Sequence, residues 1–262
     1  IPSSFVKDLV NQNEITWSKD YQTGYMFRNL GNKDVYYSDQ IIRLMQNYRS
    51  GYLQLAVVYY FEYQDLLNDP SQSSEEIESA RQKVLNVLQK MDKNLPQETI
   101  PITSNDHFFQ IGNLYSRINE KDIFRTILDD LNSRSNISVE EKLKYGQSYI
   151  QELNDLDTSK DIFKGLYDSY IELEKIVRSK GIKKAGLTQS SWERWQILYP
   201  EIVSSLVLAY RSSESWELME SVLDDWLARN PNDTNAKEML NEVRNNISPN
   251  RTDSLNGESI FN

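Results

Sequence analysis

The segment "HFFQIGNLY" (His107–Tyr115) decides the fold of this chain. It sets Gly112 in the middle of a helical pattern of large apolar residues. A glycine inside a helix costs about 1 kcal/mol relative to alanine, so we expect a close packing contact there in return. Phe108, Ile111, Gly112 and Tyr115 follow the first-helix spacing of the tetratricopeptide repeat, a helix pair of about 34 residues.

The same spacing returns further along the chain. Tyr145, Gly146 and Tyr149 stand 34 residues after the last three positions of the first match, which is one full repeat period. A third match near the C-terminus places Tyr210 on a first helix and Pro231 after a second helix. These registered matches predict that the helix pairs are repeated.

The second helix of the first pair departs from the repeat pattern. That helix normally carries a small residue followed four positions later by a large one. Phe124 and Leu128 occupy those positions, so the small residue is missing. We therefore expect degenerate repeats, in which the glycines let the paired helices approach closely. His107 is then a neighbour of the pattern and has no catalytic role.

The predicted fold is all-α, a tetratricopeptide-like helical-repeat (α-solenoid) array with an irregular N-terminal segment. Nine glycines and seven prolines are too few for the many turns of an all-β fold. Residues 1–38 are expected to be irregular and to pack their aromatic rings on the helical body. Residues 39–246 form the predicted helical-repeat domain, with a first helix capped by Asp39. The polar residues 247–262 are expected to be a disordered tail.

Composition excludes several classes of function. The formal net charge is −10, and no basic face for nucleic acid or anionic lipid is apparent in the sequence. The chain has no cysteine, which excludes disulfides and thiolate metal sites. Its single histidine has no second histidine with which to share a metal. We therefore predict no metal, no cofactor and no nucleic-acid partner.

The sequence offers weak support for catalysis. Adjacent carboxylates such as Glu75 and Glu76 point about 100° apart on a helix and do not converge on a substrate. Trp192, Trp195 and Tyr199 lie at helical spacing and form either a ligand-binding stripe or packing between helix pairs. Packing is the more common role of such a stripe, and we interpret these residues as core. The chain itself is predicted to be non-catalytic.

Two longer stretches resemble a known family. They are "MFRNLGNKDVYYSDQIIRLMQNYRSGYLQLA" (26–56) and "VLQKMDKNLPQETIPITSNDHFFQIGNLYSRINEKDIFRTILDDL" (87–131). Both resemble the part of the bacterial domain of unknown function 2723 family that follows its membrane-spanning region. That family is related to protein O-mannosyltransferases. The resemblance covers roughly residues 20 to 155, and beyond it the chain matches helical repeats only in general.

The resemblance implies that this chain is the soluble C-terminal domain of a larger membrane protein. Such a domain would lie on the extracytoplasmic (periplasmic) face of a bacterial membrane. Its partners would be the transmembrane domain of the same polypeptide and a protein partner or acceptor protein. The catalytic residues would lie in the membrane part, so none is transferred to this chain. Many apolar spans of about 20 residues are then expected upstream of Ile1.

Candidate binding residues follow from the expected array, because the first helix of each pair lines its concave face. Gln110, Asn113, Gln147 and Ser148 are polar residues on these helices, and Asn113 and Gln147 stand one period apart. Two rival functions remain open. One is a free-standing tetratricopeptide-like adaptor. The other is a helical carbohydrate-active enzyme with two carboxylates facing each other across a cleft.

Overall fold

The computed structural model describes the backbone of residues 30–255 and the side chains of residues 30–247. Over this range the chain is all-α, as predicted, and contains no strand. A 3₁₀ helix, Ile182–Ala185, separates the sixth and seventh α-helices. The α-helices are α1 (Asp39–Asn68), α2 (Ser74–Asn94), α3 (Asn105–Arg117), α4 (Lys121–Ser133), α5 (Val139–Gln151), α6 (Leu156–Lys180), α7 (Gln189–Ser212), α8 (Trp216–Arg229) and α9 (Thr234–Leu255).

The chain divides into two compact units, Ile1–Ser133 and Arg134–Asn262. The predicted repeat domain 39–246 includes residues of both units. Unit 1 contains α1 to α4, and unit 2 contains α5 to α9. In unit 2, consecutive helices pack against each other from α5 through α9, and α5 also contacts α7.

The ends of the described region differ slightly from the sequence expectations. Ser38 caps α1 in place of Asp39, because its hydroxyl accepts a hydrogen bond from the Ile41 N–H at 3.4 Å. Residues 30–38 contain no helix, and Tyr36 is 87% exposed, so the ring packing expected of residues 1–38 is wrong for this tyrosine. The rings expected to pack from residues 1–29 lie outside the described residues. At the other end, α9 continues to Leu255, into the segment predicted as a tail. Buried Ile247 extends the packed face of this helix.

In unit 1, a buried arginine fastens α1 to the segment that follows α2. Arg49 is 2% exposed. Its guanidinium donates to the carbonyls of Leu95, at 2.6 Å, and Ile100, and to the side chain of Gln46 at 2.9 Å. Burial lowers the pKa of Arg49 to about 10, although the negative charge of Asp92 acts to raise it. Because this pKa is well above 7, Arg49 remains a cation at neutral pH.

The turns of three helical hairpins, α3–α4, α5–α6 and α7–α8, have two features in common. Each turn contains one residue in a left-handed conformation, with a φ of 65°, 53° and 53° at Asn119, Asn154 and Glu214 respectively. In each turn the residue before the second helix donates its backbone N–H to a tyrosine carbonyl. These bonds run from Glu120 to Tyr115 (2.9 Å), from Asp155 to Tyr149 (2.7 Å) and from Ser215 to Tyr210 (2.9 Å). The three tyrosines of the sequence pattern therefore occupy equivalent places in their hairpins.

The two glycines of the pattern lie under aromatic rings of the second helices. A Cβ atom on Gly112 would lie 2.8 Å from Cδ2 of Phe124, and one on Gly146 would lie 2.5 Å from Cε1 of Phe163. Both distances are shorter than van der Waals contact allows. The close contact expected at each glycine is therefore present, and it is made by a ring.

The small-then-large pattern, missing from α4, occurs on α6 as Ser159 and Phe163. Ser159 is fully buried, and its hydroxyl donates to the carbonyl of Gly146 at 3.0 Å. The α5–α6 turn is one residue longer than the α3–α4 turn, which shifts this pair by one position relative to Phe124. This pair therefore lies one residue away from the fixed spacing of the repeat pattern.

Candidate functional site

On α3, the two predicted contact residues lie one turn apart. Gln110 is exposed and donates its side-chain amide to Asp106 at 2.8 Å, whereas Asn113 is half-buried. His107 is also half-buried, and its backbone N–H donates to the hydroxyl of the capping Ser104 at 3.3 Å. This places His107 in the first turn of the helix.

On α5, the two predicted contact residues differ. Gln147 donates its side-chain amide to Glu201 of α7 at 3.1 Å. Ser148 is buried, and its hydroxyl donates to the Lys144 carbonyl within the same helix at 3.0 Å. A partner on the surface cannot reach Ser148, so we remove it from the candidate contacts. Gln147 remains at the surface, where it bridges two helices.

The bridge from Gln147 belongs to a larger surface of unit 2. Residues of α7 that recur at intervals of three and four share one side of that helix. Arg194 bonds Glu140 of α5, and Arg211 donates to Glu242 of α9 at 2.7 Å. We call this surface the first-helix face, and it comprises Glu140, Gln147, Arg194, Ile197, Glu201, Ser204, Leu208, Arg211 and Glu242.

Two apolar side chains on the first-helix face are exposed to solvent. Ile197 is 68% exposed and Leu208 is 54% exposed, eleven residues apart on α7. Eleven residues of helix span about 16 Å. Polar side chains near them form bridges to α5 and α9. The face therefore combines apolar anchors with oriented amide and carboxylate groups. The sequence signal was the spacing of these residues along α7, on the side away from the aromatic stripe.

The aromatic stripe of α7 packs into the core of unit 2. Trp192 and Tyr199 are buried, and both stack on Tyr170 of α6, with ring centroids 5.6 and 3.8 Å apart. Trp195 is half-buried and also packs against this core. The interpretation of the stripe as core therefore holds for Trp192 and Tyr199, which lack the exposed ring face that a ligand needs.

Two carboxylates beside this core share one arginine. Arg229 pairs with Glu174 at 3.1 Å and with Asp225, which also accepts a hydrogen bond from the Tyr167 hydroxyl at 2.6 Å. Burial raises the pKa of Asp225, but the hydrogen bonds from Arg229 and Tyr167 outweigh burial and hold it below its usual value. A general acid for glycoside hydrolysis needs a raised pKa. This cluster therefore suits a structural ion-pair network that joins α6 to α8.

Two further structural features bear on the site. Among the side chains of residues 30–247, no group of three or more His, Asp or Glu residues is arranged to hold a metal ion. No helix in the described part of the chain combines the length and apolar character needed to cross a bilayer.

Comparison with models of protein families, with curated proteins and with solved structures found no match to this chain.

Proposed function

We propose that this chain is a non-catalytic protein-interaction or scaffolding domain with tetratricopeptide-like helix pairs. The observation that carries the proposal is the first-helix face, where Ile197 and Leu208 stand exposed between helix-bridging polar pairs. The shared hairpin turns and the ring-covered glycines support the repeat assignment. In such arrays, the first helices present the binding surface.

We further propose that the domain is the C-terminal part of a membrane protein related to protein O-mannosyltransferases. Its place would be the extracytoplasmic face of a bacterial membrane, where it holds an acceptor protein or partner subunit near the membrane-embedded enzyme. The support for this step is the sequence resemblance over residues 26–56 and 87–131.

Substitution on the first-helix face tests the binding role. The double variant Ile197→Asp/Leu208→Asp places two charges where a partner would bury apolar groups, and we expect it to lose a discrete partner captured by the wild-type chain. Leu218→Asp is the matched control, because Leu218 is 51% exposed on a second helix, α8. Both variants should melt within a few degrees of the wild type, since the replaced side chains are exposed. Equal capture by all three proteins would refute the proposed face.

The coding sequence upstream of Ile1 tests the membrane assignment. Our proposal predicts several apolar spans of about 20 residues in the same reading frame. A reading frame without such spans would instead favour the free-standing adaptor. The binding role of the first-helix face would survive that result, because it does not depend on a membrane parent.

A further inference from the structure

A second surface of unit 2 differs from the rest of the chain in its charge. Five of the 29 Lys and Arg residues lie within residues 175–184, where α6 ends and the 3₁₀ helix follows. No Asp or Glu occurs between Glu174 and Glu193. The rest of the chain contains 24 basic and 39 acidic residues, so it is strongly acidic. We call residues 175–186 the basic turn; its charged members are Lys175, Arg178, Lys180, Lys183 and Lys184.

The lysines at the tip of the basic turn lack the ion pairs common elsewhere in unit 2. Arg194, Arg211, Arg229 and Arg244 each pair with at least one carboxylate of the unit. In the part of unit 2 that the structure describes, Lys180, Lys183 and Lys184 form no such pair, and all three are exposed. In a chain with ten excess negative charges, these cations are thus left available for carboxylates from outside.

The basic turn is a defined conformation. Gly181 and Gly186 adopt left-handed φ angles of 85° and 74°, which favour glycine. The Gly186 N–H donates to the Lys183 carbonyl at 3.2 Å, and the Leu187 N–H donates to the Ile182 carbonyl at 3.3 Å. Ile182 and Leu187 also pack against the hydrophobic core. The backbone that carries the lysines is therefore already ordered, which reduces the entropy lost when a partner binds.

We infer that the basic turn is a docking site for an acidic segment of a protein partner. Carboxylates spaced along a short segment would pair with Lys180, Lys183 and Lys184, while the side chain of Arg178 stays on Glu174 at 2.7 Å. The site lies outside the first-helix face and does not rest on the function proposed for it.

Charge balance distinguishes this partner from the other polyanions. A membrane or a nucleic acid extends beyond the basic turn and would bring its negative charges near the acidic remainder of the chain. A short acidic segment can contact the turn alone. Such a contact consists of exposed ion pairs, so it should be modest in strength and should weaken with salt.

Fluorescence anisotropy with a fluorescein-labelled oligoglutamate peptide tests the inference on the full chain. We expect binding at about 30 mM NaCl that is largely lost at about 300 mM. Lys183→Glu/Lys184→Glu should weaken binding by about tenfold, because two attractive pairs become repulsive. The neutral variant Lys183→Gln/Lys184→Gln should weaken it less.

The matched control is Lys142→Glu/Lys237→Glu, which reverses two exposed lysines elsewhere in unit 2. We expect this variant to bind like the wild type, and circular dichroism should give similar melting curves for all the proteins. An equal loss in the control would show a general charge effect and overturn the assignment. Absence of peptide binding to the wild type would also overturn the assignment. So would binding of the chain to phosphatidylserine vesicles or to RNA, if the peptide does not displace them.

Discussion

Gly112 and Gly146 let an aromatic ring of the second helix lie directly on the backbone of the first. The sequence predicts the close contact, because a glycine within a helix needs a compensating gain. It does not predict which side chain makes the contact. Phe163 lies 17 residues beyond Gly146, whereas Phe124 lies 12 beyond Gly112, since turn length and helix rotation decide which ring faces the glycine. Those variables are set by packing.

Gly146→Ala should therefore destabilise unit 2. The new Cβ would overlap the Phe163 ring, an overpacking that costs about 1–3 kcal/mol and exceeds the helix-propensity gain of about 1 kcal/mol. Gly165→Ala is the matched control, because a Cβ atom at that position on α6 would meet no side chain and no other helix within 4 Å. It should raise the free energy of unfolding by up to about 1 kcal/mol, measured by urea denaturation. If both variants shift stability in the same direction, the packing account is wrong.

Glu214 occupies the position where the other two hairpins use asparagine, with a φ of 53°. A left-handed conformation costs a residue with a side chain about 1–2 kcal/mol. We expect Glu214→Gly to raise the free energy of unfolding by about 1 kcal/mol, after allowing for the greater freedom of glycine in the unfolded chain. Glu214→Ala removes the same charge but keeps the strain, so it should give no comparable gain. A gain as large in the alanine variant would assign the effect to charge.

At the scale of the element, helix boundaries follow local rules that the sequence displays. Ser138 and Glu141, three residues apart in the sequence, form a capping box at the start of α5, with mutual hydrogen bonds of 2.8 and 3.2 Å. Connections between elements are less visible. Nothing in the sequence around Arg49 shows that its guanidinium binds carbonyls 46 and 51 residues away. The basic turn could have been found from its charge run, but its ordered backbone could not.

Arg49→Met should loosen the segment after α2. The substitution leaves the buried carbonyls of Leu95 and Ile100 without their charged donor, which we expect to cost about 3 kcal/mol. Arg43→Met is the control, because Arg43 is exposed on the same helix and should change stability by less than about 0.5 kcal/mol. Denaturant titration compares the two variants. Similar small effects would show that Arg49 does not hold this segment.

Asp225 makes the ion-pair network of unit 2 sensitive to acid. Because its folded-state pKa is depressed, its stabilising contribution is full above the unfolded value of about 3.9 and is lost as pH falls through the folded value. The free energy of unfolding of Asp225→Asn should therefore lie below that of the wild type at pH 7, and the two should converge below about pH 4. Urea titrations at several pH values test this. A difference that stays constant with pH would contradict the depressed pKa.

At the scale of the molecule, the all-α class follows from scarce glycine and proline together with helical periodicity. The division at Ser133 does not, because composition and periodicity do not show which neighbouring helices pack against each other. The first-helix face was predicted in part. Gln147 lies on it, but Ser148 turns inward. The exposure of Ile197 is not evident from the sequence, because an apolar residue next to an aromatic stripe is equally compatible with a buried position.

Site-specific photo-crosslinking at Ile197 tests the interaction role most directly. A benzoylphenylalanine at this exposed position of the full-length protein, in its native cell, should give a discrete adduct with a partner protein. The same group at Leu218, on a second helix, should give none. Adducts of equal yield at both positions, or none at Ile197, would contradict the claim that the first-helix face binds a protein.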